Sequence, residues 1–167
     1  LAGYGERYLA VWLNGVRTKL GLTRAEAGDL DLANRLFAAM EGQGVDFTNL
    51  FRNLARSLTT GREAVTAMFV DTQKIGTWLD DWHARLAGDE AMLPEARAAA
   101  MNVVNPLYIP RNHKVEEALA AAIDGDMAPY GKLLEVVTNP YLERPEWADY
   151  AMPAPAGAPR CVTFCGT

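Results

Sequence analysis

Apolar residues in this chain recur three and four positions apart, and no stretch alternates apolar with polar over more than a few residues. That period belongs to helices, and the β-branched residues are too thin and scattered for a sheet. The spacing predicts an all-α fold, a compact bundle of about seven or eight short helices. Tyr4, Tyr8, Val11, Trp12 and Val16 share one face of a helix over residues 4–20, and Leu9, Leu13 and Leu20 lie on the next. So wide an apolar arc implies more than one neighbour. Gly21 stops this helix as a left-handed C-terminal glycine does. Asp29 is placed to cap a helix reaching about residue 40, and Thr48 one over residues 48–58 with Leu50, Phe51, Leu54 and Leu58 inward. A short helix over 62–68 precedes a longer one over 71–87, where Ile75, Trp78, Leu79, Trp82 and Leu86 fall on one side. Pro94 suits the first turn of a helix ending near residue 104.

Residues 105–126 form the most individual stretch. Asn105 precedes Pro106 and is thereby pushed out of the α region, which ends one helical run. Pro110 sets the backbone ahead of Asn112, whose amide is suited to cap a helix over 113–123 with Val115, Leu119, Ala122 and Ile123 as its apolar stripe. Asp124 and Gly125 close that helix, and Asp126 is placed to cap the next, lined by Met127, Tyr130, Leu133, Leu134 and Val137 and stopped at Asn139 before Pro140. Arg111 in this corner can fork onto carbonyls or a carboxylate to hold two helices in register, or reach a phosphate or a partner. A corner so dense in turn residues favours the structural role. From residue 140 the composition shifts, and residues 152–159 read MPAPAGAP, which sustains neither helix nor strand. The expected organisation is a helical body over 1–139 and an extended Pro-rich tail over 140–167 carrying Cys161 and Cys165.

Half of the 167 residues are apolar, enough for one domain with a real core. A net charge of −5 argues against a nucleic-acid surface, which needs clustered Lys and Arg. No run of about 18 apolar residues suggests a membrane span, and neither a leader nor a transit segment is visible. The start at Leu1 reads as that of an excised piece. Both cysteines fall at the end of the chain, which is no disulfide framework and suits a reducing cytoplasm. Asp80 and His83, and likewise His113 and Glu116, have the i, i+3 spacing used by helical di-iron proteins. Such a site needs further inward carboxylates, and Trp78, Trp82 and Leu119 occupy those stripes, so solvated polar faces explain both pairs. Ser57 is the only serine and lacks a nucleophile elbow. Neither glycine-rich turn, at residues 3–5 or 42–44, has the strand before and helix after that a phosphate loop requires. No catalytic, cofactor-binding or metal-ligating residue is therefore expected in this chain. For Cys161 and Cys165 two readings stay open: inert residues of a frayed terminus, or a thiol that searches from a flexible spacer for a partner, with Arg160 favouring thiolate slightly.

The ordered set Lys19, Leu20, Gly21, Leu22; Asp46, Phe47, Thr48; Phe51, Arg52, Asn53, Leu54; and Asn105, Pro106, Tyr108, Ile109, Arg111, Asn112, Glu117, Ala118, Gly125, Asp126 resembles the C-terminal region of the selenoprotein O family, known in bacteria as YdiU. Cys165 stands third from the end, where the family carries cysteine or selenocysteine; the ending Cys-Gly-Thr replaces the common Cys-Ser-Ser. The resemblance implies a parent with a protein-kinase-like fold that transfers AMP from ATP, with Mg²⁺, onto Ser, Thr or Tyr hydroxyls of other proteins in the bacterial cytoplasm. The family's nucleotide, metal and base residues lie upstream of the matched region, and none carries over to this chain. What remains implies a helical, non-catalytic part packed against a kinase-like domain in cis, with an exposed docking face open to self-association. The family's terminal cysteine is linked with redox control through a thiol in the kinase-like domain; here Cys161 offers Cys165 a local alternative. The competing reading is a self-contained helical interaction module, which would show an entirely polar surface.

Overall fold

A computed structural model describes residues 3–89, 92–155 and 157. Among the described residues there is no strand, and nine α-helices account for the fold. They are α1 (Tyr4–Lys19), α2 (Asp29–Met40), α3 (Phe47–Thr60), α4 (Glu63–Thr66), α5 (Thr72–Ala87), α6 (Pro94–Asn102), α7 (Asn112–Ile123), α8 (Ala128–Val137) and α9 (Ala148–Ala151), with a 3₁₀ turn over Pro145–Trp147. The all-α class expected from the spacing is the observed one; the extra elements are single turns.

The chain divides into two compact units after Asn105. In the first, α3 packs on α6, and α2 on α5 and α1. Leu32 and Leu36 of α2, Leu50, Phe51 and Leu54 of α3, Ile75, Trp78, Leu79 and Trp82 of α5 and Met101 of α6 form its core. Trp78 and Trp82, one turn apart, stack with ring centroids 5.8 Å apart. Each indole N–H is satisfied: Trp78 Nε1 donates to Leu32 O at 2.8 Å, and Trp82 Nε1 to Leu20 O at 3.0 Å. The second bond gives a partner to a carbonyl left over at the end of α1.

Helix ends follow local chemistry, with four corrections, the first being that Met127 rather than Asp126 holds the N-cap position of α8, Asp126 Oδ1 accepting from Ala128 N at 2.9 Å. The N-cap of α3 is Asp46, whose Oδ1 accepts from Asn49 N at 2.8 Å, and Thr48 lies inside the helix. Asn112 is likewise the first helical residue of α7 rather than its cap, and Arg111 holds the cap position with extended backbone. Asp29 is the first residue of α2, and its carboxylate is buried. Two ends behave as read. Gly21 has φ +71°, with Leu22 N donating to Arg17 O and Gly21 N to Thr18 O. Gly125 has φ +86°, with Asp126 N donating to Ala121 O and Gly125 N to Ala122 O. Both are Schellman closures.

The second unit pairs α7 with α8 over a small core of Tyr108, Val136 and Trp147. The division between the units falls at the Asn105–Pro106 break. Leu107 N and Tyr108 N both donate to Pro140 O, so the corner and the segment after α8 belong together. Residues 145–151 are not extended: they coil through the 3₁₀ turn and α9 because Trp147 needs a buried berth, which it finds edge-on to Tyr108 at 5.6 Å.

Burial also departs from the apolar stripes. In α1 only Val16 is buried, Trp12 and Leu13 are partly so, and Tyr4, Tyr8 and Val11 are 74%, 61% and 75% exposed. In the α7–α8 pair Ala118, Leu133 and Val136 are buried, while Leu119, Ile123, Tyr130 and Leu134 are not. A two-helix hairpin covers one narrow line of each partner, and the wider stripe stays outside.

Candidate functional site

Three of the four motifs singled out in the sequence meet at one point in the first unit. Lys19 Nζ, at the end of α1, donates to Asn105 Oδ1 at 3.1 Å, and Asn105 Nδ2 donates back to Lys19 O at 2.9 Å. The Lys19 ammonium also lies 5.2 Å from the centroid of the Phe51 ring. Arg52, from the next position on α3, donates through Nη1 to Asn102 O at 3.2 Å and to Asn105 O at 3.4 Å. Asn105 is fully buried, and burial pushes the Lys19 ammonium below the ordinary lysine value. Gly21 completes the junction: a Cβ there would stand 2.9 Å from Met101 Sδ and 3.1 Å from Arg97 Cγ. The motif spacing thus encodes a clasp between α1, α3 and the end of α6.

A second cluster, which the sequence reading missed, pins the loop over residues 20–29. Asp29 accepts from Arg17 Nε at 2.6 Å, Arg85 Nε at 2.8 Å and Glu26 N at 2.8 Å. Asp89 accepts from Thr23 N and from Arg24 Nε at 3.1 Å, with Arg97 Nη1 at 3.4 Å; Arg97 also donates to Gly21 O. Burial alone would raise both carboxyl pKa values. The Arg85, Glu26 N–H and Arg17 bonds outweigh it at Asp29, and Thr23, Arg24 and Arg97 do so at Asp89, which is held well below the usual carboxylate range. Arg85 lies 56 positions from Asp29 and Thr23 66 from Asp89, so no local spacing links them. The one available signal was that each acid follows a glycine at a helix boundary, Gly28 and Gly88.

In the second unit Tyr108 fixes the corner. Its hydroxyl accepts from Arg144 N at 3.2 Å and donates to Arg144 O at 3.3 Å. The Arg144 guanidinium lies 4.5 Å, and Lys132 Nζ 5.3 Å, from the Trp147 ring centroid. Arg111 is buried beside Asn112, which is exposed at the start of α7. Pro106 opens this unit.

The remaining candidates are dispersed. Ser57 Oγ donates to Leu54 O at 2.8 Å within α3 and is buried. Ser57 and His83 both line a hollow of about 560 Å³ near the start of α6, yet that bond already engages the hydroxyl. Burial and the Arg62 charge hold the His83 imidazole below its ordinary pKa, with Asp80 opposing; its ring stacks on Trp82 at 5.0 Å. Asp80 pairs with Arg62 at 2.8 Å. Among the described residues no three metal-ligating side chains converge, and no helix is long and apolar enough to cross a membrane. Cys161 and Cys165 lie outside the described residues. Chemically, both clusters in the first unit spend their hydrogen bonds on one another, an arrangement that fixes helices in place.

The family model for Protein adenylyltransferase SelO matches residues 1–138, which include both clusters and the corner. The chain belongs to the SelO family. A Protein nucleotidyltransferase YdiU from Cereibacter sphaeroides is 46% identical over 164 residues, 98% of this chain and 32% of its own length. Those of Rhizobium etli and Rhizobium rhizogenes are each 43% identical across the whole of this chain and 34% of theirs. This SelO-family chain spans about a third of the length of the curated relatives it matches. The motifs quoted for the resemblance fall where the SelO match falls, and their convergence at Asn105 gives them a physical role.

Proposed function

We propose that this chain is the helical, non-catalytic C-terminal part of a SelO-type protein adenylyltransferase, one that moves AMP from ATP with Mg²⁺ to Ser, Thr or Tyr hydroxyls of proteins. The observation that carries this reading is the inward use of the family motifs: Lys19, Phe51, Arg52 and Asn105 engage one another, not a cleft. The relatives' greater length leaves room for the kinase-like domain that would hold nucleotide and metal. The bare Tyr4, Tyr8 and Val11 face of α1 suits docking against that domain in cis, and it weighs against the self-contained module, whose surface should be polar throughout. Cys165, with Cys161 as a nearby alternative, is proposed as the redox switch, and the cytoplasm as the compartment.

Incubation with labelled ATP and Mg²⁺ tests the assignment. The isolated chain should label neither itself nor added protein substrates, and a full-length protein containing it should label both. Label transfer by the isolated chain would overturn the reading.

A further inference from the structure

The α7–α8 hairpin presents an apolar face that the proposed function leaves unused. Leu119 and Ile123 on α7 are 53% and 87% exposed, and Met127, Tyr130 and Leu134 across the turn 57%, 45% and 49%. At about 100° per residue, Leu119 and Ile123 stand roughly a quarter-turn or more from Ala118, which α7 buries. Tyr130 and Leu134 are displaced in the same sense from Leu133, which α8 buries. Because two antiparallel helices facing one another are read in opposite directions, equal displacements bring both rows to the same side of the hairpin. Two parallel rows of exposed apolar side chains result on one side of the hairpin.

The charges around those rows are one-sided. Residues 106–155 hold four Lys or Arg against eight Asp or Glu. The four cations are engaged elsewhere. Lys114 pairs with Glu117 at 2.8 Å and lies over Tyr150; Lys132 pairs with Glu135 at 3.0 Å and lies over Trp147; Arg144 stacks on Trp147; Arg111 is buried. Glu116, one turn before Leu119 on the same face, and Asp124 at the hairpin tip have no cation partner among the described residues. Among the described residues this apolar face is edged by Glu116 and by no cation, and such a surface matches an amphipathic helix whose polar flank is basic.

We infer that the α7–α8 face is a docking site for a cationic amphipathic helix of a partner polypeptide. The test uses the whole chain and two synthetic probes of about four helical turns, one built from Leu and Lys and one from Leu and Glu. The Leu/Lys probe should bind, shifting the amide resonances of Leu119, Ile123, Met127, Tyr130 and Leu134. The double substitution Leu119→Lys with Ile123→Lys should weaken it at least ~10-fold, while Tyr8→Lys on α1 leaves it unchanged. Both hairpin positions are exposed, and an unaltered melting temperature verifies that the variant is folded. The inference fails if the two probes bind equally, if the shifts map to α1, or if the double variant binds like the parent. It fails equally if the chain dimerises through this face, with Leu119→Lys restoring the monomer. None of these outcomes depends on AMP transfer, so the docking inference and the functional assignment stand or fall separately.

Discussion

Gly21 combines two constraints that a side chain cannot satisfy together. Its φ of +71° is left-handed, and a Cβ would lie 2.9 Å from Met101 Sδ. Gly21→Ala should therefore cost about 1–3 kcal/mol in chemical denaturation. Adding Met101→Ala should recover none of the backbone cost, so the double variant remains below the Met101→Ala single variant. Asp89 poses an electrostatic question. Its carboxyl is buried and its folded pKa depressed, so its contribution is complete above the unfolded value of about 4 and is lost as pH falls from there through the folded value. Asp89→Asn should cost about 3–5 kcal/mol near neutral pH, because it leaves Arg97 buried with its charge uncompensated. Stability measured by denaturant between about pH 7 and pH 3 should then fall less steeply in the variant than in the parent. Parallel profiles would assign the acid sensitivity to other carboxylates, Asp29 foremost.

Among the elements, α5 carries the first unit because its two indoles reach backbone on two other elements. They are not equivalent. The carbonyl of Leu32 lies inside α2, where the helix already uses it, whereas Leu20 O stands at the C-cap of α1, beyond the last helical N–H that could take it. Trp82→Phe should consequently cost more than Trp78→Phe, by about 1 kcal/mol in matched urea titrations. Equal losses would mean that packing, not the hydrogen bonds, sets both. The element boundaries show where local reading succeeds. Gly21, Pro94 and Gly125 were legible because each acts on its own backbone. The caps at Asp46 and Arg111, each a position or more before those expected, were not: Asp46 and Thr48 both offer an acceptor oxygen, and Arg111 holds its position through extended backbone, with no side-chain cap bond.

For the molecule as a whole, the exposed α1 face is the feature that bears on assembly. Tyr4 and Tyr8 stack with centroids 6.5 Å apart and, with Val11, border a hollow of about 730 Å³. Tyr8→Lys with Val11→Lys should leave the unfolding free energy within about 0.5 kcal/mol of the parent's while abolishing hydrophobic-dye binding to this face. A large loss of stability would mean that these side chains belong to a packed core. The sequence by itself determined the helical class, the positions of the breaks and the family, because period, glycine and proline act within a few residues and the motifs survive as strings. Only the tertiary structure decided which apolar stripes are covered, that Asp29 and Asp89 are charge clasps rather than surface acids, and that Trp147 folds residues 145–151 back onto Tyr108. Burial and charge pairing depend on groups brought together from distant positions, and a linear pattern does not contain that distance.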